Sequence, residues 1–261
     1  MMSKTTDIQV IKIGGNVVDN PEALERFIGD FAQIEGRKIL IHGGGKLATR
    51  LSEKLGIATQ MIDGRRVTDA ATLEVVTMVY GGAINKHIVA MLQAAGCNAI
   101  GLSGADANLL PAVRRNPEPI DYGFVGDIEM EAIPVETLKA LLDIGLTPVF
   151  CALTHDRQGS MLNSNADSVA QAVAVAASRI DTTHLHYCFE KMGVLRDVED
   201  ENSLIELITA ESFASLREAG VVSKGMIPKI DNALRAIEAG VNSVIIQHSD
   251  NILSGKGTTI R

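Results

Sequence analysis

The sequence predicts an α/β protein, a three-layer αβα sandwich around a mainly parallel central sheet. Short β-branched runs alternate along the chain with longer segments of helical periodicity. This alternation is typical of right-handed βαβ crossovers, which cover both faces of a sheet with helices. Of the 261 residues, 46% are hydrophobic, enough apolar material for a large core. The 24 glycines and only 7 prolines fit many short strand–helix turns.

The predicted elements follow one another in a regular order. We predict strands over residues 8–13, 38–41, 98–102, 147–151, 184–188 and 243–247, with a short strand near Thr259. We predict helices over residues 21–35, 46–55, 69–95 (one helix or two), 134–144, 166–179, 210–219 and 229–239. Two hairpins are predicted outside this rhythm. One turns at Asp63-Gly64, between Ile62 and Val67, and the other lies within residues 109–133, which contain three prolines.

The chain is predicted to form two lobes that share one continuous sheet. We place the first lobe at residues 1–178 and the second at residues 179–261, with the boundary at the end of the predicted helix 166–179. No internal repeat, low-complexity tract or linker separates them in the sequence.

The composition argues against several classes of function. The net charge of −8 makes nucleic acid and anionic membranes unfavourable partners. The three cysteines form no CxxC pair, so neither a disulfide framework nor a thiolate metal site is indicated. The six histidines have no ligand spacing, and we expect no metal bound by the protein itself. We expect no signal peptide. We also expect no membrane-spanning segment, which would need a run of about 20 apolar residues. We therefore predict a cytoplasmic protein.

Two glycine-rich loops follow the first two predicted strands. The first reads Lys12-Ile13-Gly14-Gly15-Asn16 and the second His42-Gly43-Gly44-Gly45-Lys46. Ligands of open α/β sheets bind beyond the carboxyl ends of the strands, where glycine allows close approach and a helix N-terminus presents N–H groups. The two loops therefore predict a cradle for a phosphate-sized anion. A P-loop is excluded because Leu40 and Leu47 occupy its required Gly and Ser/Thr positions, and no GxGxxG follows a strand.

Three further positions suggest ionic chemistry, although each also has a purely structural interpretation. Lys12 lies on an apolar strand, where a cation needs a partner unless it reaches solvent at a sheet edge. Asp167 ends the polar run that begins at Asn163, in which Asn165 is a natural helix N-cap. Lys229 follows Pro228 in a first helical turn, where the helix dipole disfavours a cation unless it faces an anion or solvent.

Taken in order, these segments resemble the amino-acid-kinase family. The likeness runs from about residue 8 to residue 240. It rests on the segments Ile11-Lys12-Ile13-Gly14-Gly15, His42-Gly43-Gly44-Gly45, Gly64-Arg65-Arg66-Val67-Thr68, Gly101-Leu102-Ser103-Gly104, Gly123-Phe124-Val125-Gly126-Asp127, Asn163-Ser164-Asn165-Ala166-Asp167 and Gly225-Met226-Ile227-Pro228-Lys229. Within the family the chain resembles the members that phosphorylate the γ-carboxylate of N-acetyl-L-glutamate in arginine biosynthesis. The resemblance implies the amino-acid-kinase fold and ATP with Mg²⁺.

The resemblance also implies a role for individual residues. Catalysis is assigned to Lys12, Lys229 and Asp167; substrate binding to Gly44, Gly45, Arg66, Asn163 and Asn165; phosphate binding to Gly14, Gly15 and Gly44; and nucleotide binding to Glu190, Lys191 and Gly193. The chemistry agrees, because a carboxylate with a pKa near 4.3 is already ionised at pH 7 and needs no general base. The barrier lies in bringing two anions together, which cations and helix N-termini lower.

Two segments depart from the family pattern. Where the family has Leu-Thr/Ser-Asp-Val-x-Gly-Val, this chain has Cys188-Phe189-Glu190-Lys191-Met192-Gly193-Val194. Where it has Ala-Pro-Ile-Gly near the acyl group, this chain has Ala152-Leu153-Thr154-His155. N-succinyl-L-glutamate is therefore kept as an alternative substrate, and an inactive small-molecule sensor as the alternative of another class.

The resemblance further implies an oligomeric state. Arginine-sensitive members carry an extra N-terminal helix, whereas only Met1 to Asp7 precede the first predicted strand here. Seven residues fall below the roughly 12 needed for a marginal helix in water. We therefore expect a homodimer that arginine does not inhibit.

Overall fold

The computed structural model describes residues 7–62, 64–197, 200–222 and 226–261. The strands are β1 (Ile8–Ile13), β2 (Arg37–His42), β3 (Met61–Ile62), β4 (Arg65–Arg66), β5 (Ala99–Leu102), β6 (Ala112–Arg114), β7 (Gly126–Ile128), β8 (Thr147–Cys151), β9 (Leu153–His155), β10 (Met161–Asn163), β11 (Thr183–Phe189), β12 (Leu207–Ile208), β13 (Ser243–His248) and β14 (Gly257–Ile260). The α-helices are α1 (Gly15–Val18), α2 (Pro21–Gln33), α3 (Gly45–Lys54), α4 (Ala70–Val76), α5 (Asn85–Ala94), α6 (Val135–Asp143), α7 (Ala166–Ser178), α8 (Ala210–Glu218) and α9 (Ile227–Glu238), and a π-helix (Thr77–Ile84) joins α4 to α5.

The central sheet confirms the predicted fold class. Its eight strands lie in the order β12-β14-β13-β11-β1-β2-β8-β5. Neighbouring strands are parallel except for β13 and β14, which are antiparallel. β14 is thus the last strand in the chain but the second in the sheet, with β12 beyond it at the edge.

Helices cover both faces of the sheet. Successive side chains of a strand point to opposite faces, so each strand has buried residues on both sides. On β1, Val10 packs into a core that includes α7 and α9, whereas Ile11 and Ile13 pack into a core that includes α2 and α5. Lys12 shares the direction of Val10 and therefore points toward α7.

Most of the predicted elements are present, with ends that differ by a residue or two, as helix and strand ends commonly do. The predicted turn at residues 62–67 is the β3–β4 hairpin, in which Ile62 pairs with Arg65; Asp63 lies outside the described residues. The prediction within residues 109–133 is the β6–β7 hairpin. Sequence periodicity did not indicate the β9–β10 hairpin, α1 or β12, because strands and helices of two to four residues are too short to establish a period.

The helical run from Ala70 to Ala94 needs separate comment. By length and composition it could cross a membrane, which the sequence analysis did not anticipate. Core helices of globular proteins pass the same test, and here 44% of the apolar window is buried inside the protein. Its α5 portion packs on α2 and β5, and it carries the buried polar residue Asn85. We therefore interpret it as a core helix.

A buried lysine ties the end of α2 to the sheet. Lys38 on β2 is only 7% exposed, and its Nζ donates to the carbonyl oxygens of Phe31 (2.9 Å), Ala32 (2.9 Å) and Ile34 (2.7 Å). The ammonium also lies 5.1 Å from the centroid of the Phe31 ring. It satisfies carbonyl groups that a helix C-terminus leaves without partners. Burial lowers the pKa of Lys38.

We expect Lys38→Met to lower the free energy of unfolding by about 2–3 kcal/mol, because the buried carbonyl groups lose their charged donor. Lys54→Met is the matched control, since Lys54 is an exposed lysine in the last turn of α3. It should cost about 0.5 kcal/mol or less. Urea unfolding followed by circular dichroism measures both. Equal losses in the two variants would contradict a capping role for Lys38.

Candidate active site

A cleft of about 220 Å³ opens beyond the carboxyl ends of β1 and β2. Its floor is formed by the two predicted glycine loops, and its walls by β4, β10, the start of α7 and the π-helix. The lining residues are Lys12, Ile13, Gly15, Gly43, Gly44, Gly45, Met61, Gly64, Arg65, Arg66, Tyr80, Val125, Ala152, Asn163, Ser164, Asn165 and Ala166. Most of the predicted site residues therefore meet in one place.

Lys12 and Asp167 form an ion pair at the base of this cleft. Lys12 Nζ lies 2.7 Å from Asp167 Oδ1, and the two side chains are only 17% and 30% exposed. Asp167 lies in the first turn of α7, whose N-cap Asn165 accepts hydrogen bonds from the N–H groups of Asp167 and Ser168. Burial alone would raise the pKa of Asp167, but Lys12 and then Lys229 outweigh it and hold the pKa below its ordinary value. Asp167 is thus a charged orienting group and a poor proton acceptor at neutral pH.

Lys229 approaches the same carboxylate from α9. It lies in the first turn of α9, as predicted, although Gly225 of the motif lies outside the described residues. Burial lowers the pKa of Lys229, Asp167 raises it, and Lys12 lowers it. Asp167, Tyr187, Lys229 and Asn232 line a second, small cavity. The three residues assigned to catalysis are therefore electrostatically coupled.

The glycine loops lead into helices that no described side chain caps. Gly14 and Gly44 are the N-cap residues of α1 and α3. The first N–H groups of a helix have no partner within it, so these starts can bind an anion. The N–H of Gly14 itself donates to the carbonyl of Cys188 at 2.9 Å. Gly14 thus contributes the turn, and of the two glycines in this loop it is Gly15 that lines the cleft.

Gly44 is required by close packing. A Cβ atom at this position would lie 2.2 Å from Ile84 Cδ1 and 3.0 Å from Tyr80 Cδ1, both on the π-helix. The preceding His42 is fully buried, with Nδ1 2.8 Å from the carbonyl of Gly43 and Nε2 3.0 Å from Asn85 Nδ2. Burial lowers the pKa of His42 to about 4, so the ring is neutral and carries its proton on Nδ1. This network fixes the loop from below.

Arg66 and Asn163 also line the cleft. Arg66 Nη2 donates to the carbonyl of Gly45 (2.9 Å) and to Thr49 Oγ1 (2.8 Å), which ties β4 to the start of α3. Asn163 Nδ2 donates to Thr68 Oγ1 at 3.0 Å. Both side chains are buried, and both retain polar groups for a ligand, since a guanidinium has five N–H donors.

The altered segment at Ala152–His155 borders the cleft. Ala152 lines it, and the next three residues form β9, which pairs with β10 through Leu153 and Asn163. Thr154 is buried, with its Oγ1 2.9 Å from Ser164 Oγ. This segment thus forms one strand of the hairpin beside the cleft.

The residues predicted to bind nucleotide follow β11 and do not line this cleft. Glu190 is exposed and close enough to raise the pKa of Lys229. Lys191 is also exposed. Gly193 packs against Leu204 and Thr258 near β14. The structure therefore places Glu190 and Lys191 at the surface and Gly193 in a packed position.

The sequence analysis did not identify Tyr80 as a site residue. Tyr80 belongs to the π-helix and lines the cleft beside Gly44. Burial raises the pKa of its hydroxyl, and Arg66 lowers it. Aromatic residues make up only 3% of the chain, so a tyrosine directly before Gly81-Gly82 is the one sequence feature that could have marked this position as part of a site. Arg65 and Met61 line the cleft as well and were also not assigned.

The arrangement is suited to a polyanion. Two lysines and one carboxylate lie where two glycine loops and two helix N-termini converge, and an arginine faces them. Such a site stabilises charge spread over oxygen atoms and requires no nucleophilic side chain.

Comparisons with known proteins agree with this geometry. The acetylglutamate kinase of Cytophaga hutchinsonii is 54% identical over 247 residues, which are 94% of this chain and 93% of that protein. The acetylglutamate kinase of Phocaeicola vulgatus is 50% identical over 254 residues, 97% of this chain and 98% of that protein. The crystal structure of smu.665 from Streptococcus mutans UA159 matches with a TM-score of 0.78 at 29% identity, covering 97% of this chain and 98% of that one. The pattern described as the amino acid kinase family matches residues 7–248. The chain therefore belongs to the amino acid kinase family, a family of phosphotransferases.

Proposed function

We propose that this chain transfers the γ-phosphoryl group of ATP to the γ-carboxylate of N-acetyl-L-glutamate. The observation that carries the proposal is the Lys12–Asp167 ion pair, 2.7 Å long, at the point where both glycine loops meet. The relatives named acetylglutamate kinase support it, being about half identical over nearly the whole chain. The alternatives, a succinylated substrate and an inactive sensor, are not favoured, because these relatives are named for a kinase that acts on the acetylated substrate.

The side chains act on charge. Lys12 and Lys229 neutralise the phosphoryl oxygens, which lowers the repulsion between the carboxylate and ATP. Asp167 keeps both ammonium groups charged and oriented. The N–H groups at Gly15 and Gly44 bind the same oxygens, while Gly14 makes the turn. The acceptor arrives ionised, so no residue needs to remove a proton.

The substrate is assigned to the first lobe. Arg66, with its remaining N–H donors, binds the α-carboxylate, and Asn163 binds the acylamido group. Gly45 and Asn165 border the same space. This assignment places residues 1–178 as the acyl-amino-acid lobe and residues 179–261 as the nucleotide lobe, with Glu190, Lys191 and Gly193 on the nucleotide side.

Mg²⁺ belongs to the proposal as part of the MgATP substrate. The described His, Cys, Asp and Glu residues form no group of three that could hold an ion. Asp167 is engaged by Lys12. Both features fit a metal carried by the phosphate groups of the nucleotide. A cytoplasmic homodimer also remains part of the proposal, as expected from the resemblance.

The function is tested by trapping the acyl phosphate with hydroxylamine. The purified protein, with ATP and Mg²⁺, should form hydroxamate from N-acetyl-L-glutamate at a higher kcat/KM than from N-succinyl-L-glutamate, and form little from free glutamate. A preference for either of the other two acceptors, or no product from all three, would reject the proposal.

We expect Lys12→Ala and Lys229→Ala each to lower kcat by about a hundredfold or more, with modest changes in both KM values. The reason is that their contacts strengthen as charge develops on the phosphoryl group. Lys139→Ala is the control, because Lys139 forms an exposed ion pair with Asp143 on α6, and it should retain the parent kcat. Near-parental kcat in either active-site variant would remove that lysine from the mechanism.

We expect Arg66→Lys to raise KM for N-acetyl-L-glutamate about tenfold and to leave KM for ATP within about twofold. A lysine ammonium donates from a single atom, so it cannot reach the Gly45 carbonyl, the Thr49 hydroxyl and a carboxylate together, as a planar guanidinium with three nitrogen atoms can. Arg114→Lys, on an exposed arginine of β6, is the control. Equal increases in the two KM values would place Arg66 outside the acyl-substrate site.

A further inference from the structure

The last residues of β11 lie beneath two catalytic groups. Tyr187 and Phe189 point to the same side of the sheet, because they are two residues apart on one strand. The Tyr187 hydroxyl donates to the backbone carbonyl of Asp167 at 3.3 Å. The Lys229 ammonium lies 4.3 Å from the centroid of the Phe189 ring. One strand end thus supports the start of α7 and the start of α9.

Phe189 also touches the first glycine loop. A Cβ atom on Gly14 would lie 3.5 Å from Phe189 Cβ, which is ordinary contact distance. The Cβ of Phe189 therefore lies beside the loop that follows β1, while its ring lies under the lysine in the first turn of α9. This is the position where the family pattern given above has threonine or serine.

Lys229 needs such a support, because several effects act against its charge. It lies in the first turn of a helix, where the dipole disfavours a cation. It is partly buried, and Lys12 repels it. Asp167, its main counter-charge, is already in contact with Lys12 at 2.7 Å. Among the described residues, no carboxylate forms an ion pair with Lys229, so the ring face of Phe189 is its direct contact.

We propose that Phe189 is a positioning residue, whose ring holds the Lys229 ammonium over the phosphoryl site through a cation–π contact. The proposal rests on the proposed function. An ammonium within about 6 Å of a ring centroid is attracted by the negative face of the ring. The ring fixes the direction of Lys229 without adding a carboxylate, which would repel ATP. Asp167 remains available to Lys12.

The kinetic test compares variants that keep or lose the aromatic ring at position 189. Phe189→Leu and Phe189→Met should lower kcat about fivefold to thirtyfold, with KM for N-acetyl-L-glutamate unchanged, whereas Phe189→Tyr should stay within about twofold of the parent. Phe213→Leu is the matched control, because Phe213 is a buried aromatic of α8 outside the site. It should lower the melting temperature and leave kcat unchanged. Equal kcat in Phe189→Leu and the parent, or equal losses in Phe189→Leu and Phe189→Tyr, would overturn the proposal.

The pH profile gives a second readout. The titratable groups that face Lys229 are Asp167 of α7, Lys12 of β1, Tyr187 of β11 and Glu190 after β11, and all four stay in place in these variants. Removing the ring withdraws a stabiliser of the charged form and lowers the pKa of Lys229 further. The alkaline limb of kcat against pH should therefore move to lower pH in Phe189→Leu and stay in place in Phe189→Tyr. An unmoved limb in Phe189→Leu would contradict the contact.

A spectroscopic measurement separates this proposal from the proposed function. In protein labelled with ¹³C at lysine Cε, the Lys229 signal, identified by its loss in Lys229→Arg, should be shifted upfield by the ring current. The shift should vanish in Phe189→Leu and persist in Phe189→Tyr. A parent protein that forms no hydroxamate but shows this pattern would reject the function and keep the contact. Active parent protein with an unshifted Lys229 signal would keep the proposed function and reject the contact.

Discussion

Lys12 lies on β1, which pairs with β11 on one side and β2 on the other, so its charge enters the centre of the sheet. A cation there is costly unless a carboxylate meets it. Asp167 does so only because α7 begins beside the carboxyl end of β1, with Asn165 as its cap. The pairing therefore links the start of α7 to β1, and Asn163 at the end of β10 lies shortly before that start in the chain. The cleft wall at Asn163 and the ion pair at Lys12 are thus held together by one contact.

The second glycine loop is held by packing instead of charge. The π-helix brings Ile84 and Tyr80 so close to Gly44 that a Cβ atom there would have to displace the Ile84 side chain. An extra residue per turn is a common device at functional sites, because it redirects side chains that an α-helix would place elsewhere. Below the loop, the His42 ring is hydrogen-bonded through Nε2 to the Asn85 side chain and through Nδ1 to the Gly43 carbonyl. The loop backbone is thus fixed before a ligand arrives, which limits the reorganisation that phosphoryl transfer requires.

The sequence predicted the long elements well, because β1, β2, α7 and α9 carry strong periodic patterns of buried residues. It also identified both glycine loops and the lysines. It could not show that Lys12 meets Asp167, since that contact joins distant parts of the chain, nor that Gly14 has its N–H occupied by Cys188. The β9–β10 hairpin has no period to detect. Tyr80 and Phe189 were equally hidden, because a π-helix and a cation–π contact are properties of tertiary packing and leave no fixed spacing.

The position of β14 bears on how the protein is made. Among the described residues, β12 pairs in the sheet with β14 alone, and β13 has β14 along one side. Until residues 257–260 have been synthesised, a nascent chain therefore carries β13 with an open edge and β12 with nothing to join. Open strand edges invite pairing with other chains. Strands β1, β2, β8 and β5 pair with one another, and this pairing involves no residue after Cys151. The open edge of β13 is closed only when β14 pairs with it, so the chain made between these two events exposes an unpaired strand edge.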